Sequence, residues 1–366
     1  MQTSRTFDDP RAARALAAEI ASASERIGRP VKFMEVCGTH TMAIAKNGLR
    51  AFLPPEVDLV SGPGCPVCVT PDAVIDAAAR AALEHDAVVA TFGDMVRVPG
   101  SRESLEQARG EGADVRIVYS PLDALAGAMR EPDREWIFVG IGFETTAPLV
   151  AAVCRKARAD RVGNVSVLCA HKTVPPAMLA LLADEAVGLD GFLCPGHVSV
   201  VIGPEPYRPI AGRGAPCVIA GFEPLDILQS LHMLVRQIAE GRSEVENQYF
   251  RAVKPEGNAV ARRAMEAVFA PDDARWRGLG VIPGSGLALR EDFADLDAAG
   301  RFGLSLDGPD AETGCRCGDV LRGVIRPSAC PLFGTRCTPA SPVGPCMVSS
   351  EGSCAAAYKY ARTPAP

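Results

Sequence analysis

The sequence predicts an α/β protein: two similar doubly wound parallel-sheet domains, then a cysteine-rich C-terminal domain with additional helices. Three observations carry this. Eight short apolar runs alternate with helical stretches between residues 31 and 240. Segments of the two halves match at an offset near 104. Of the 13 cysteines, six crowd into residues 315–354.

Residues 1–30 are Ala-rich and amphipathic, which predicts a helix, expected to pack on the C-terminal domain. Residues 31–132 form the first α/β domain, with strands in VKFMEV (31–36), VDLV (57–60), AVVATF (87–92) and VRIVY (115–119). Residues 133–240 form the second, with WIFVGI (136–141), VSVLCA (165–170), GFLC (191–194) and CVIA (217–220). Each run is continuously apolar, as in parallel strands covered on both faces. SPLDAL (120–125) and EPLDIL (223–228) share Pro-Leu-Asp-x-Leu at an offset of 103, and VCGTHTMA aligns with IGFETTAP at 105. Four βα units per half in one order then point to internal duplication. Residues 241–366 make the last, helical and cysteine-rich domain.

A 366-residue chain with 48% hydrophobic and 22% charged residues has material for more than one core. Its net charge of −6 argues against a nucleic-acid binder, which needs a basic face. No apolar run approaches a membrane span and no secretory apolar block opens the chain, so a cytoplasmic location is expected. No complete phosphate-binding loop is present.

Ligands of open α/β sheets bind beyond the carboxyl ends of the strands. The loops there are CGTH (37–40), SGPGCPVC (61–68), FGDMVRVPG (92–100), GFETT (142–146), AHKT (170–173) and PGHVS (195–199). Three of the five histidines, His40, His171 and His197, fall in them, as do Cys37, Cys65 and Cys68. That concentration of scarce reactive residues predicts a functional cleft between the domains. Cys154, Cys169, Cys194 and Cys217 sit in apolar patterns and read as core filler.

Cys65-Pro-Val-Cys68 lies in a Gly/Pro-stiffened loop ahead of a helix, with Thr70 as expected N-cap and Pro71 as first helical residue. Helix-end amides favour a thiolate. A redox pair, half of a metal site and a buried turn all remain compatible with the spacing. Cys37 ends a strand before another helix, where Thr39 or Thr41 can cap and His40 can donate, accept or ligate. The tail cysteines Cys315, Cys317, Cys330, Cys337, Cys346 and Cys354 lack the tight pairs of zinc sites, which favours an iron–sulfur cluster over zinc.

These motifs, with GPGCPVCVTP (62–71), GFETTAP (142–148), GDVLRG (318–323), CPLFGTRCTP (330–339) and MVSSEGSCAAAYKY (347–360), closely resemble the HypD family of [NiFe] hydrogenase maturation factors. The resemblance spans nearly the whole chain. It implies a scaffold on which the Fe(CN)2CO group is assembled, working with a HypC-type small chaperone and a HypE-type cyanide donor, and indirectly serving the hydrogenase large subunit. Carried over, Cys37 would ligate iron beside His40, with Cys65 and Cys68 as the redox-active pair and possible further ligands. A [4Fe-4S] cluster near that pair would be held by Cys317, Cys330, Cys337 and Cys354 of the C-terminal domain. Cys346 is then an extra thiol, and so is Cys315, which is the alternative to Cys317. Glu144, Thr145, Thr146 and His197 are expected to position or protonate groups on the opposing wall, with Asp94 and His171 as weaker candidates. The alternative is a stand-alone Fe–S-dependent thiol–disulfide oxidoreductase, in which Cys37 and His40 would not be needed. A zinc-bound structural adaptor is a third reading.

Overall fold

All eight apolar runs are strands, as their continuous hydrophobicity requires. In the computed structural model, which describes residues 9–360, they are β1 (Val31–Glu35), β2 (Val57–Ser61), β3 (Val88–Thr91), β4 (Val115–Ile117), β5 (Trp136–Gly140), β6 (Val165–Cys169), β7 (Gly191–Pro195) and β8 (Cys217–Ala220). Every residue of β3, β5, β7 and β8 is buried, the pattern of strands covered on both faces. Three further strands follow: β9 (Val245–Asn247) and an antiparallel hairpin of β10 (Phe269–Trp276) and β11 (Gly280–Leu289).

The strands sort into two parallel sheets that do not divide the chain at residue 132. The first sheet has the order β2-β1-β7-β8-β9 and the second β4-β3-β5-β6. Each half therefore gives one strand pair to each sheet. The expected domains at 31–132 and 133–240 are corrected accordingly: residues 88–169 carry one whole sheet, inserted between the strands of the other. Local pattern cannot reveal this, because pairing such as Phe33 with Gly191 joins residues far apart in the chain. The duplication itself fits the result. Under the offset relating the halves, β2-β1-β7-β8 maps onto β6-β5-β3-β4, the observed neighbour order of the second sheet.

Two further boundaries move. Helix α1 (Pro10–Glu25) does not pack on the C-terminal region; it lies along helix Pro224–Ala239, burying Ile20 and Ala23 among Phe33, Leu193 and Leu231. Residues 245–247, assigned to the C-terminal domain, extend the first sheet as its edge strand. The β10–β11 hairpin also belongs to that region, which is thus not purely helical. Trp276 of the hairpin stacks on Phe143 with ring centroids 5.9 Å apart, and its Nε1 donates to Ser285 Oγ at 2.7 Å.

Four helices matter for the site. Besides α1 they are α2 (Gly38–Lys46), the short α3 (Pro66–Val69) and α4 (Asp72–Glu84). Helix Pro345–Val348 packs on α3 and helix Ser353–Tyr360 on α2, so the tail is folded onto the strand-end loops. Among the described residues, no helix is long and apolar enough to cross a membrane.

Candidate functional site

The site begins where β1 and β2 end side by side. Gly38 N–H donates to the Gly64 carbonyl at 2.9 Å, so the CGTH and GPGCPVC loops touch through their backbones. Gly64 has no alternative here: an added Cβ would lie 2.0 Å from the Cys37 nitrogen. Cys37, Cys65 and Cys68 are all buried, in two loops that touch.

Cys37 is the N-cap of α2; its side chain makes no cap hydrogen bond, and the first-turn His40 and Thr39 amides favour its thiolate only weakly. Burial nevertheless pushes the thiol up to about 12, because these donors do not offset the loss of water. Its sulfur lies 3.8 Å from His197 Nε2 and 3.9 Å from Nδ1. The near-equal distances place it against the ring between the nitrogens rather than on either lone pair. His197 follows β7 in the first sheet, so PGHVS shares a wall with Cys37 and does not face it, correcting the expected opposing position.

His40 turns away from this thiol: its Nε2 pairs with the Gly221 carbonyl at 2.9 Å, while the buried Nδ1 has no partner. Burial brings His40 down to about 4, so it is neutral at physiological pH. Phe222 stacks between the two histidines, with centroids 4.9 Å from His40 and 5.2 Å from His197. Neither Thr39 nor Thr41 caps α2. Thr41 Oγ1 donates to Glu35 Oε1 at 2.5 Å, and Thr39 Oγ1 to Glu351 Oε1 at 2.8 Å.

Glu35, Ser349, Glu351 and Phe222 were not singled out in the sequence. Glu35 is fully buried at the end of β1 and accepts the Cys37 N–H at 3.1 Å; burial raises its carboxyl to about 7. An acid inside VKFMEV was the available signal. Glu351 packs on Gly38, and Ser349 donates to Asp94 Oδ2 at 3.0 Å, which brings the FGDM loop of the second sheet to the tail.

Cys65 is the N-cap of α3, and Cys68 sits within that turn. The following helix, α4, starts at Asp72 with Pro71 as N-cap, and Thr70 does not cap it. Its hydroxyl donates back to the Pro66 carbonyl at 2.8 Å, because Pro66 supplies an acceptor one turn earlier. Cys65 is lowered below the ordinary thiol value by a hydrogen bond from Cys68, against the cost of burial, with a smaller contribution from the Ser349 hydroxyl, whose one proton is shared with Asp94. Cys68 receives help from Cys346, yet contact with Cys65 and burial push it well above the usual value. The pair is therefore asymmetric: a thiolate-leaning Cys65 beside a protonated Cys68.

The thiol contacts continue into the tail. Cys68 meets Cys346, Cys346 meets both Cys317 and Cys354, and Cys317 meets Cys315. Cys346, expected to be a spare thiol, is the link between the front pair and the tail. All thirteen cysteines are free thiols. Cys330, Cys337 and Cys354 are buried, and Cys337 Sγ accepts the Val343 N–H at 3.3 Å. Cys315 and Cys354 are the sulfurs whose charge bears on Cys337. Buried sulfurs, one of them with an amide donor, are donors of the kind an iron–sulfur cluster takes. Among the described residues no three His, Cys, Asp or Glu side chains close on a single ion.

The GFETT loop stands elsewhere. Glu144 Oε1 accepts the Val174 N–H at 3.0 Å and its buried Oε2 is unpartnered, while Thr146 Oγ1 donates to Phe143 and Ile141 carbonyls of its own turn. Thr145 is exposed. No hydrogen bond joins these three to Cys37, Cys65 or Cys68. Burial raises Glu144 to about 7. His171 also lies apart, beside Cys169.

Fold and site together define an α/β protein whose strand-end loops and tail are lined with buried thiols. Residues 11–361 match the HypD family model, described as the hydrogenase formation hypA family. The chain is 47% identical to the hydrogenase maturation factor HypD of Rhodobacter capsulatus, covering 98% of both chains. It is 48% identical to that of Cupriavidus necator over 97% of this chain and 96% of the relative. With the HypD of Escherichia coli K12 it shares 48% identity over 91% and 90%. The chain belongs to the HypD family of hydrogenase maturation factors.

Proposed function

We propose that this chain is the platform on which the Fe(CN)2CO group of a [NiFe] hydrogenase is assembled, together with a HypC-type small chaperone and with cyanide delivered by a HypE-type donor. The observation that carries this reading is the backbone-level contact of the Cys37 and Cys65–Cys68 loops with His197 against the Cys37 sulfur. Iron bearing strong-field diatomic ligands is a soft cargo suited to thiolates. Cys37 is the ligand of this cargo. Its thiol is protonated before loading, so iron binding must release a proton. His197, held neutral by burial and 3.8 Å away, is the acceptor once its ring swings onto the S–H.

The thiol chain supplies the redox arm. Cys346 and Cys317 rest as protonated thiols. A Cys65–Cys68 disulfide is opened when Cys346 attacks Cys68 Sγ as its proton passes to the departing Cys65 sulfur. Attack of Cys317 on Cys346 Sγ, with its proton passing to the departing Cys68 sulfur, then forms Cys317–Cys346; the disulfide has moved with no net change in electrons. Cys330, Cys337 and Cys354 would hold a [4Fe-4S] cluster, with Cys317 or Cys315 as fourth ligand; the proximity of Cys315 to Cys337 and the engagement of Cys317 with Cys346 favour Cys315. When bound, the cluster would supply electrons one at a time.

The test is the infrared spectrum of the chain co-purified anaerobically with its small chaperone. CN and CO bands are expected for the native chain and absent for Cys37→Ala. Bands that persist in Cys37→Ala leave the stand-alone oxidoreductase as the better reading.

A further inference from the structure

A second cavity, of about 290 Å³, opens at the carboxyl end of β6, away from Cys37. Its lining includes His171 and Lys172 of AHKT and Arg275 of β10. Lys172 is 4% exposed, and among the described residues no hydrogen bond or ion pair reaches its ammonium; its nearest recorded partner is the Trp276 ring, with Nζ 5.7 Å from the centroid. His171 is 1% exposed, with Nδ1 3.6 Å from Cys169 Sγ and a buried, unpartnered Nε2. The Nε of Arg275 is buried and unpartnered too.

Nitrogen groups left without acceptors around one cavity are costly. Four aspartates, Asp272, Asp273, Asp297 and Asp307, also line it, and the charge of Asp310 favours the Lys172 ammonium from further off. Asp297 accepts the Ala299 and Gly300 amides at 3.2 and 3.1 Å, Asp273 the Gly284 amide and Asp272 the Asp273 amide, both at 2.9 Å. Among the described residues none of them forms an ion pair with Lys172 or Arg275, so direct acceptors for these two cations are still missing. Burial lowers Lys172 only to about 8, so it keeps its charge at neutral pH, while His171 at about 3 is neutral and can donate from one nitrogen. The place is also where parallel sheets bind ligands.

We propose that Lys172, His171 and Arg275 form a second binding site, separate from the thiol site, for the oxyanion group of a small carboxylate or phosphate metabolite. Lys172 supplies the charge, Arg275 a directional donor and His171 a neutral hydrogen bond, with Leu287 and Leu306 as apolar lining.

Calorimetric titration of the full, reduced chain with inorganic phosphate, and separately with acetate, tests this. One-to-one binding of either anion is expected, and which one binds identifies the ligand class. Lys172→Met and Arg275→Gln should each weaken it about tenfold or more, the loss typical of a charged hydrogen bond, whereas Cys37→Ala should leave it unchanged. Arg275 is only half-buried, so Arg275→Gln keeps the test valid if Lys172→Met fails to fold. Failure of both anions to bind at millimolar concentration, or affinity unaltered by both substitutions, overturns the proposal.

Discussion

At the scale of single residues, the decisive asymmetry is between Cys65 and Cys68. Cys65 leans toward the thiolate through donors from Cys68 and Ser349. A hydrogen bond to a charged group contributes about 1.5–3 kcal/mol, equivalent to roughly one to two pKa units. Ser349→Ala is therefore expected to raise the Cys65 pKa and to slow its alkylation near neutral pH, read by mass spectrometry on anaerobically reduced protein. Equal alkylation rates in the two chains would remove Ser349 from the site. The sequence made the cysteines legible because sulfur is scarce and its spacing is informative. It did not reveal Ser349 or Glu351, common residues whose importance lies only in what they touch. Cys346 was visible but misjudged, since spacing cannot say which thiol faces which.

At the scale of elements, two turns are pressed together without side chains between them. Gly64 against the Cys37 backbone defines that contact, while Gly38 makes room for Glu351 of the tail. Gly64→Ala puts a methyl into the Cys37 backbone, which cannot yield as a flexible side chain would. We expect a loss of about 1–3 kcal/mol, typical of overpacking, measured by urea unfolding under reducing conditions. A matching Gly28→Ala at an open position, where an added Cβ meets nothing within 4 Å but φ is +72°, should cost less. If both cost the same, the clash is not the cause. Strand identity was legible for β1–β8, whose runs are mostly apolar, but not for β9–β11, which lie in a region expected to be helical. Sheet membership was not: β1 and β5 look alike locally, and only long-range crossovers decide that one pairs with β7 and the other with β3. His197 was for that reason expected across the cleft from Cys37 rather than beside it.

At the scale of the molecule, burial of titratable groups sets how stability follows pH, and opposite contributions overlap. His40 and His171, at about 4 and 3 in the folded chain against 6.5, bind fewer protons folded than unfolded, so each costs stability as pH falls below 6.5. Glu35 and Glu144, at about 7 against 4.5, bind more protons folded than unfolded between those values, so each restores stability over the same fall. Shifts of this size correspond to roughly 3 kcal/mol per group. The wild-type chain should therefore change little in stability between pH 6.5 and 4.5. Glu144→Gln separates the two effects. It removes a carboxylate that is buried and ionised above pH 7, with one oxygen unpartnered, so the variant should be the more stable chain at pH 8. That advantage should shrink toward zero by pH 4.5, where Glu144 is protonated in the folded wild type and half protonated in the unfolded chain. Urea unfolding of both chains at the two pH values measures the difference. A gap that is the same at both would mean that Glu144 is ionised throughout, held by a partner that its surroundings in the folded chain do not provide.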